Sequence, residues 1–205
     1  MPWPALAAFI PERMKALIAA LPEEVPHLAA VFLDCGDTLI DEATEVKRPD
    51  SEIVIEGADI PHAMDAVRDL HRMGYRLALV ADGPRETFEN MLKPRGVWDL
   101  METHAISGDV GEAKPSAKMF EAAMTGLGLG DEARARIVMV GNNLERDIRG
   151  ANDFGLVSLF VAWSKRRTHV PADMIEVPQY RIDSLDRLVA EIEAIELSLT
   201  EAAYG

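Results

Sequence analysis

The sequence predicts an α/β protein: a three-layer, doubly wound parallel sheet of Rossmann-like form, with helices on both faces. Three observations predict it. Short apolar runs recur without polar alternation, as strands buried on both faces require. Stretches of helical periodicity separate those runs. Carboxylates, glycines and a lysine stand just after the apolar runs, where sheets of this kind bind ligands.

Taken in order, Pro11 is followed by Met14, Leu17, Ile18 and Leu21 at helical spacing, which predicts an amphipathic helix ending before Pro22. We therefore expect an N-terminal helical extension over 1–28 and a core over 29–205. The extension can pack on the sheet, lie over the site or form a dimer interface, which would make the protein a homo-oligomer; packing is the default. Residues 29–34 (AAVFLD) read as the first buried strand. The polar stretch 41–52 and the β-like Ile53-Val54-Ile55 leave only about twenty residues before the next helix, enough for a β-flap but not for a substantial cap domain. Ala63, Val67, Leu70 and Met73 mark a helix stopped at Gly74. Strand 76–81, helix 84–93, a weaker strand 103–107 and a helix carrying Phe120, Ala123, Met124 and Leu127 follow. Strand 137–140, helix 144–154, strand 156–162 and a last helix through Leu185, Leu188, Val189 and Ile192 complete the pattern.

Bulk composition narrows the function. A formal net charge of −14 opposes binding to nucleic acid and to anionic membrane, so neither is an expected partner. An anionic substrate would need local positive charge, most simply from a metal ion. No apolar run reaches the length of a membrane span, and the N-terminus lacks the basic start of a signal peptide. A cytoplasmic location is the expectation. Cys35 is the single cysteine, which excludes an intramolecular disulfide.

The strand ends carry the chemistry. The first run closes on Asp34-Cys35-Gly36-Asp37-Thr38-Leu39, the second on Ala81-Asp82-Gly83. Lys114-Pro115 through Phe120 has the form K-P-x-x-x-x-F, and Val140 through Ala151 the form V-G-x-x-x-x-x-D-I-x-G-A. In this order, from about Ala30 to Phe160, the chain resembles the haloacid dehalogenase superfamily of aspartyl-nucleophile hydrolases. A phospho-receiver domain also uses an aspartate, a lysine and a divalent ion, but its lysine follows the acidic residues, whereas Lys114 precedes Asn142 and Asp147.

The resemblance implies a Mg²⁺-dependent phosphate monoester phosphatase working through an aspartyl-phosphate. It implies Asp34 as nucleophile and metal ligand, the Gly36 carbonyl as a second ligand, and Asn142 and Asp147 as further ligands. It implies Lys114 as the cation neutralising nucleophile and phosphoryl group, with Ala81, Asp82 and Gly83 beside it at the phosphate. The substrate would be a phosphorylated small molecule, or a larger phosphorylated one because the site is open.

Three positions depart from the family pattern. The second catalytic aspartate, normally two residues after the nucleophile, is Gly36; Asp37 stands one place later and is the candidate replacement. The hydroxyl residue of the second motif is Ala81, and the first acid of the fourth is Asn142. Loss of a general acid costs ~10²–10⁴-fold, so activity should be weak or depend on the leaving group. The alternatives are a catalytically impaired binding or regulatory protein and, with less support because no cap closes the site, a haloacid dehalogenase. Lys165-Arg166-Arg167, after the strand ending at Ala162, reads as a solvated loop, with steering of anionic substrate as the second reading.

Overall fold

A computed structural model describes residues 28–204. Six strands form one parallel sheet: β1 (Ala30–Leu33), β4 (Leu77–Ala81), β5 (Thr103–Ile106), β6 (Ile137–Gly141), β7 (Val157–Val161) and β8 (Tyr180–Ile182). Their order is β5-β4-β1-β6-β7-β8, and every adjacent pair is parallel. The chain therefore leaves β1 first toward β4 and β5, then returns to its other side for β6. The crevice at that reversal lies beyond the carboxyl end of β1, which puts residue 34 at the place where such sheets bind ligands.

The unbroken apolar runs become strands because both sheet faces are covered. Val31, Leu33, Leu77, Leu79, Val138 and Val140 face one side, against α1 (Ala63–Arg72), α2 (Arg85–Leu92) and α6 (Leu188–Tyr204). Ala30, Phe32, Ala78, Val80, Ile137 and Met139 face the other, against α4 (Ala117–Gly126) and α5 (Arg149–Phe154). Phe32 and Phe120 are wholly buried. Truncating a phenylalanine in such a position to alanine costs ~3–5 kcal/mol, so these side chains fix how α4 lies on the sheet. A one-turn helix, α3 (Ser107–Val110), follows β5.

Between β1 and α1 lies only an antiparallel hairpin, β2 (Ile40–Lys47) with β3 (Val54–Asp59). This is the expected flap, and no cap is inserted there. It is pinned to α2: Thr87 Oγ1 accepts from the Val54 amide at 3.0 Å, and Asn90 Nδ2 donates to the Val54 carbonyl at 3.0 Å. Arg95, just beyond α2, donates to the Gly57 and Met91 carbonyls and pairs with Asp59. The N-terminal extension expected over 1–28 lies, up to residue 27, outside the described residues. No helix among the described residues is long and apolar enough to cross a membrane.

Candidate active site

The backbone after β1 turns sharply, and the turn decides where each polar side chain goes. Leu39 and Ile40 amides both donate to the Cys35 carbonyl, at 2.7 and 3.0 Å. Asp37 sits in the left-handed region at φ 52°, a conformation that aspartate tolerates better than most residues. Asp34, before the turn, stays at the sheet edge and lines a cavity of about 820 Å³. Thr38 Oγ1 donates to Asp34 Oδ2 at 3.0 Å, and Lys114 Nζ donates to Asp34 Oδ1 at 2.7 Å. Both carboxylate oxygens are thus held, and the orientation of the group is fixed.

Lys114 is buried and also donates to the Val80 carbonyl at 2.7 Å. Its Nζ lies 2.7 Å from Asp147 Oδ1, an ion pair without well-directed hydrogen-bond geometry. Burial works against the lysine charge, but Asp147, Asp34 and Asp82 outweigh it and hold its pKa above the ordinary lysine value. At any physiological pH it is a fixed cation.

Asp147 comes from a single π turn, Leu144–Ile148, that precedes α5. Its Oδ2 accepts from the Asn143 amide at 2.9 Å, while the Asn143 side chain accepts from the Glu145 and Arg146 amides at 3.0 and 3.3 Å. Gly141 is needed here: a methyl on it would stand 2.6 Å from the Asp147 Cβ. Burial pushes the Asp147 carboxyl well above the ordinary range, against the pull of Lys114. Asn142 is buried beside it, and its Nδ2 has no hydrogen-bond partner among the described residues.

The second strand end is already braced from within. Asp82 accepts from the Lys114 amide at 3.0 Å and pairs with Arg146 at 3.3 Å. The Gly83 amide donates to Ser107 Oγ at 2.8 Å, so that amide is taken rather than free for a ligand. Ala81 is wholly buried. The Ser107 hydroxyl, which accepts from Gly83, keeps its own proton and lines the cavity. It is a candidate for the hydroxyl missing at residue 81, since the Gly83 amide ties it to the end of β4.

Asp37 points elsewhere. It is wholly buried, accepts from the Glu42 amide at 3.1 Å and from Arg166 Nε at 3.0 Å, and is absent from the cavity wall. The space over Gly36 is filled by Glu42: a methyl at Gly36 would lie 2.9 Å from the Glu42 Cδ, inside van der Waals contact. Glu42 is held in turn by Arg166 at 2.5 Å and Arg167 at 3.2 Å. The basic stretch 165–167 is therefore more than a solvated loop, since two of its arginines reach the flap.

The structure thus brings Asp34, Lys114, Asn142 and Asp147 to one place, with Gly36 and Gly83 on the same cavity. Sequence reasoning gave no role to Glu42, Glu45, Thr38 or Ser107. Only Thr38 carried a local signal, its place in the D-x-x-x-T-L run. As for a metal, Asp147 Oδ1 lacks a directed donor and can turn to a cation, whereas Asn142 could ligate one only through its amide oxygen, its unpartnered Nδ2 being a donor. Among the described residues no group of three His, Cys, Asp or Glu is arranged to hold one, which fits the asparagine at 142. The donors suit a hard ion that keeps several of its waters.

Comparison with known proteins identifies the family and the fold. The family model of haloacid dehalogenase-like hydrolases matches residues 12–155. Glyceraldehyde 3-phosphate phosphatase of Methanopyrus kandleri is 31% identical over 123 residues, covering 60% of this chain and 52% of that protein. (S)-2-haloacid dehalogenase of Pseudomonas sp. (strain YL) is 31% identical over 142 residues, covering 69% and 56%. The chain spans about half the length of these curated relatives. Among solved structures, a HAD phosphatase from Thermococcus onnurineus is 25% identical with TM-score 0.56, covering 65% of this chain and 58% of that one. A putative HAD-hydrolase of Bacillus subtilis bound to magnesium shares the fold at TM-score 0.65 and 16% identity, covering 81% and 99%.

Proposed function

Because the chain belongs to the haloacid dehalogenase-like hydrolase family, we propose that it is a Mg²⁺-dependent phosphate monoester hydrolase with Asp34 as nucleophile. The observation that carries this reading is the grip on Asp34: Lys114 and Thr38 hold one oxygen each, at the wall of an open cavity. A carboxylate so oriented can attack phosphorus and split one difficult displacement into two easier ones. Lys114 offsets the charge that builds up as a dianionic group approaches an acidic site. Ser107 is placed to donate its hydroxyl proton to a phosphoryl oxygen.

Asp34, the Gly36 carbonyl, Asn142 and Asp147 would hold Mg²⁺. When bound, the ion neutralises phosphoryl oxygens that the protein's own carboxylates would repel. Phosphoserine phosphatase of Thermus thermophilus is a further relative named for phosphomonoester chemistry, 30% identical over 125 residues, and the Bacillus neighbour is described as bound to magnesium. The dehalogenase relative supports the other chemistry of an aspartate nucleophile, but that needs a closed apolar pocket. Here the cavity is open and carries the charged side chains of Glu42, Lys47, Asp82 and Arg167.

The test is release of p-nitrophenol from p-nitrophenyl phosphate. Wild type should turn over only with Mg²⁺, and Asp34→Asn should lose about 10³-fold or more. Turnover that survives Asp34→Asn would place the chemistry elsewhere. A folded wild type that binds phosphate but never turns over would instead favour a binding protein.

A further inference from the structure

Seven carboxylates line the cavity, and six of them are already engaged. Lys114 pairs with both Asp34 and Asp147. Asp82 pairs with Arg146, and Asp109 with Arg85. Glu52 pairs with Lys47, and Glu42 with Arg166 and Arg167. Glu45 has no hydrogen-bond or ion-pair partner among the described residues. It stands on flap strand β2, half-buried, over the same cavity as the Asp34 carboxylate.

We propose that Glu45 is the proton donor to the leaving group, the part that residue 36 has no side chain to play. This rests on the phosphatase reading above. Two other carboxylates, Glu42 and Asp37, are disqualified by their surroundings. Residue 36 has no side chain, and one there would have to displace the Glu42 carboxylate from the space beside it. Glu42 is committed to two guanidinium groups, Arg166 and Arg167, which hold its carboxylate against the loop. Asp37 is committed to Arg166 and to the Glu42 amide, outside the cavity wall.

Glu45 has the opposite environment. Burial and then the charge of Glu42 raise its pKa above the ordinary glutamate value; Asp37 adds to this, while Lys47 and Arg166 oppose it. Its stem leans on β3, with Cγ 3.8 Å from where a methyl on Gly57 would sit. A carboxylate that faces the cavity without a cation partner, and whose burial favours the protonated form, is suited to donate a proton.

The proton moves as follows. An Asp34 oxygen attacks phosphorus, the bond from phosphorus to the ester oxygen breaks, and that oxygen keeps the electron pair and takes the Glu45 proton. The alcohol departs, leaving Asp34 phosphorylated and Glu45 ionised. Glu45 then takes a proton from water as the water oxygen attacks phosphorus. The bond from phosphorus to Asp34 breaks, phosphate leaves, and both side chains return to their starting forms.

The experiment compares alcohol release in the first turnover from p-nitrophenyl phosphate and from an alkyl phosphate, with Mg²⁺. Glu45→Gln should lose ~10²–10⁴-fold on the alkyl ester, whose leaving oxygen needs the proton, and little on the nitrophenyl ester. Glu45→Asp should recover part of the loss. Equal losses on both esters, no loss on either, or a leaving-group-selective loss in Glu42→Gln instead would overturn the assignment. A wild type that releases alcohol from neither ester would sink the phosphatase reading along with it.

Discussion

The aspartate that a two-aspartate hydrolase would carry at residue 36 stands at residue 37, and one turn explains the consequence. With φ at 52°, residue 37 directs its carboxylate to Arg166 and away from Asp34. Asp34, Lys114 and Asp147 were legible in the sequence because each follows an apolar run or sits in a recognisable string. The Arg166–Glu42 pair was not: its partners lie 124 residues apart, and nothing local in either segment announces the other. Asn142 permits a direct prediction. It can coordinate through its amide oxygen but adds no negative charge, so Mg²⁺ should bind weakly. Asn142→Asp should tighten Mg²⁺ binding on the order of tenfold, because charge count sets affinity for hard cations. Isothermal titration measures it; unchanged or weaker binding would remove residue 142 from the ligand set.

Among elements, the buried strands were legible and the flap strand β2 was not. Its sequence, IDEATEVK, buries only Ile40, so it carries none of the apolar signal that marks core strands. It is a strand because β3 pairs with it and α2 holds β3. Strand β8 is three residues long, too short for periodicity to register. The π turn before α5 read simply as the start of a helix; its extra residue per turn has no signature in side-chain spacing. Strand β5 offers a pH test. His104 stacks on Trp98 with ring centroids 3.7 Å apart, and its Nε2 lies 3.1 Å from the Trp98 carbonyl. Burial lowers its pKa below the ordinary value of 6.5, with Arg85 adding to the shift. The unfolded chain then takes up a proton first as pH falls, so this residue's contribution to stability is intact above about pH 6.5 and declines below it. The urea midpoint should drop between about pH 7.5 and 5.5, and by less in His104→Phe. Equal drops in both proteins would show that His104 is not the group responsible.

At the scale of the whole molecule, an acidic chain places a cationic lysine among three aspartates at the reversal of its sheet. Net charge alone predicted the need for local positive charge, and the sheet order supplies the place where it collects. The fold was legible because unbroken apolar runs alternate with stretches of helical periodicity. The acid–base apparatus was not, because it is divided between a polar hairpin and a loop more than a hundred residues later. The central claim is that Asp34 carries the phosphoryl group. Acid-quenching the protein during turnover of an aryl phosphate, then mapping peptides by mass, tests it directly. The account predicts an acid-stable phosphoryl adduct on the peptide containing Asp34, absent in Asp34→Asn. Turnover with no adduct, or with the adduct on another residue, would contradict it.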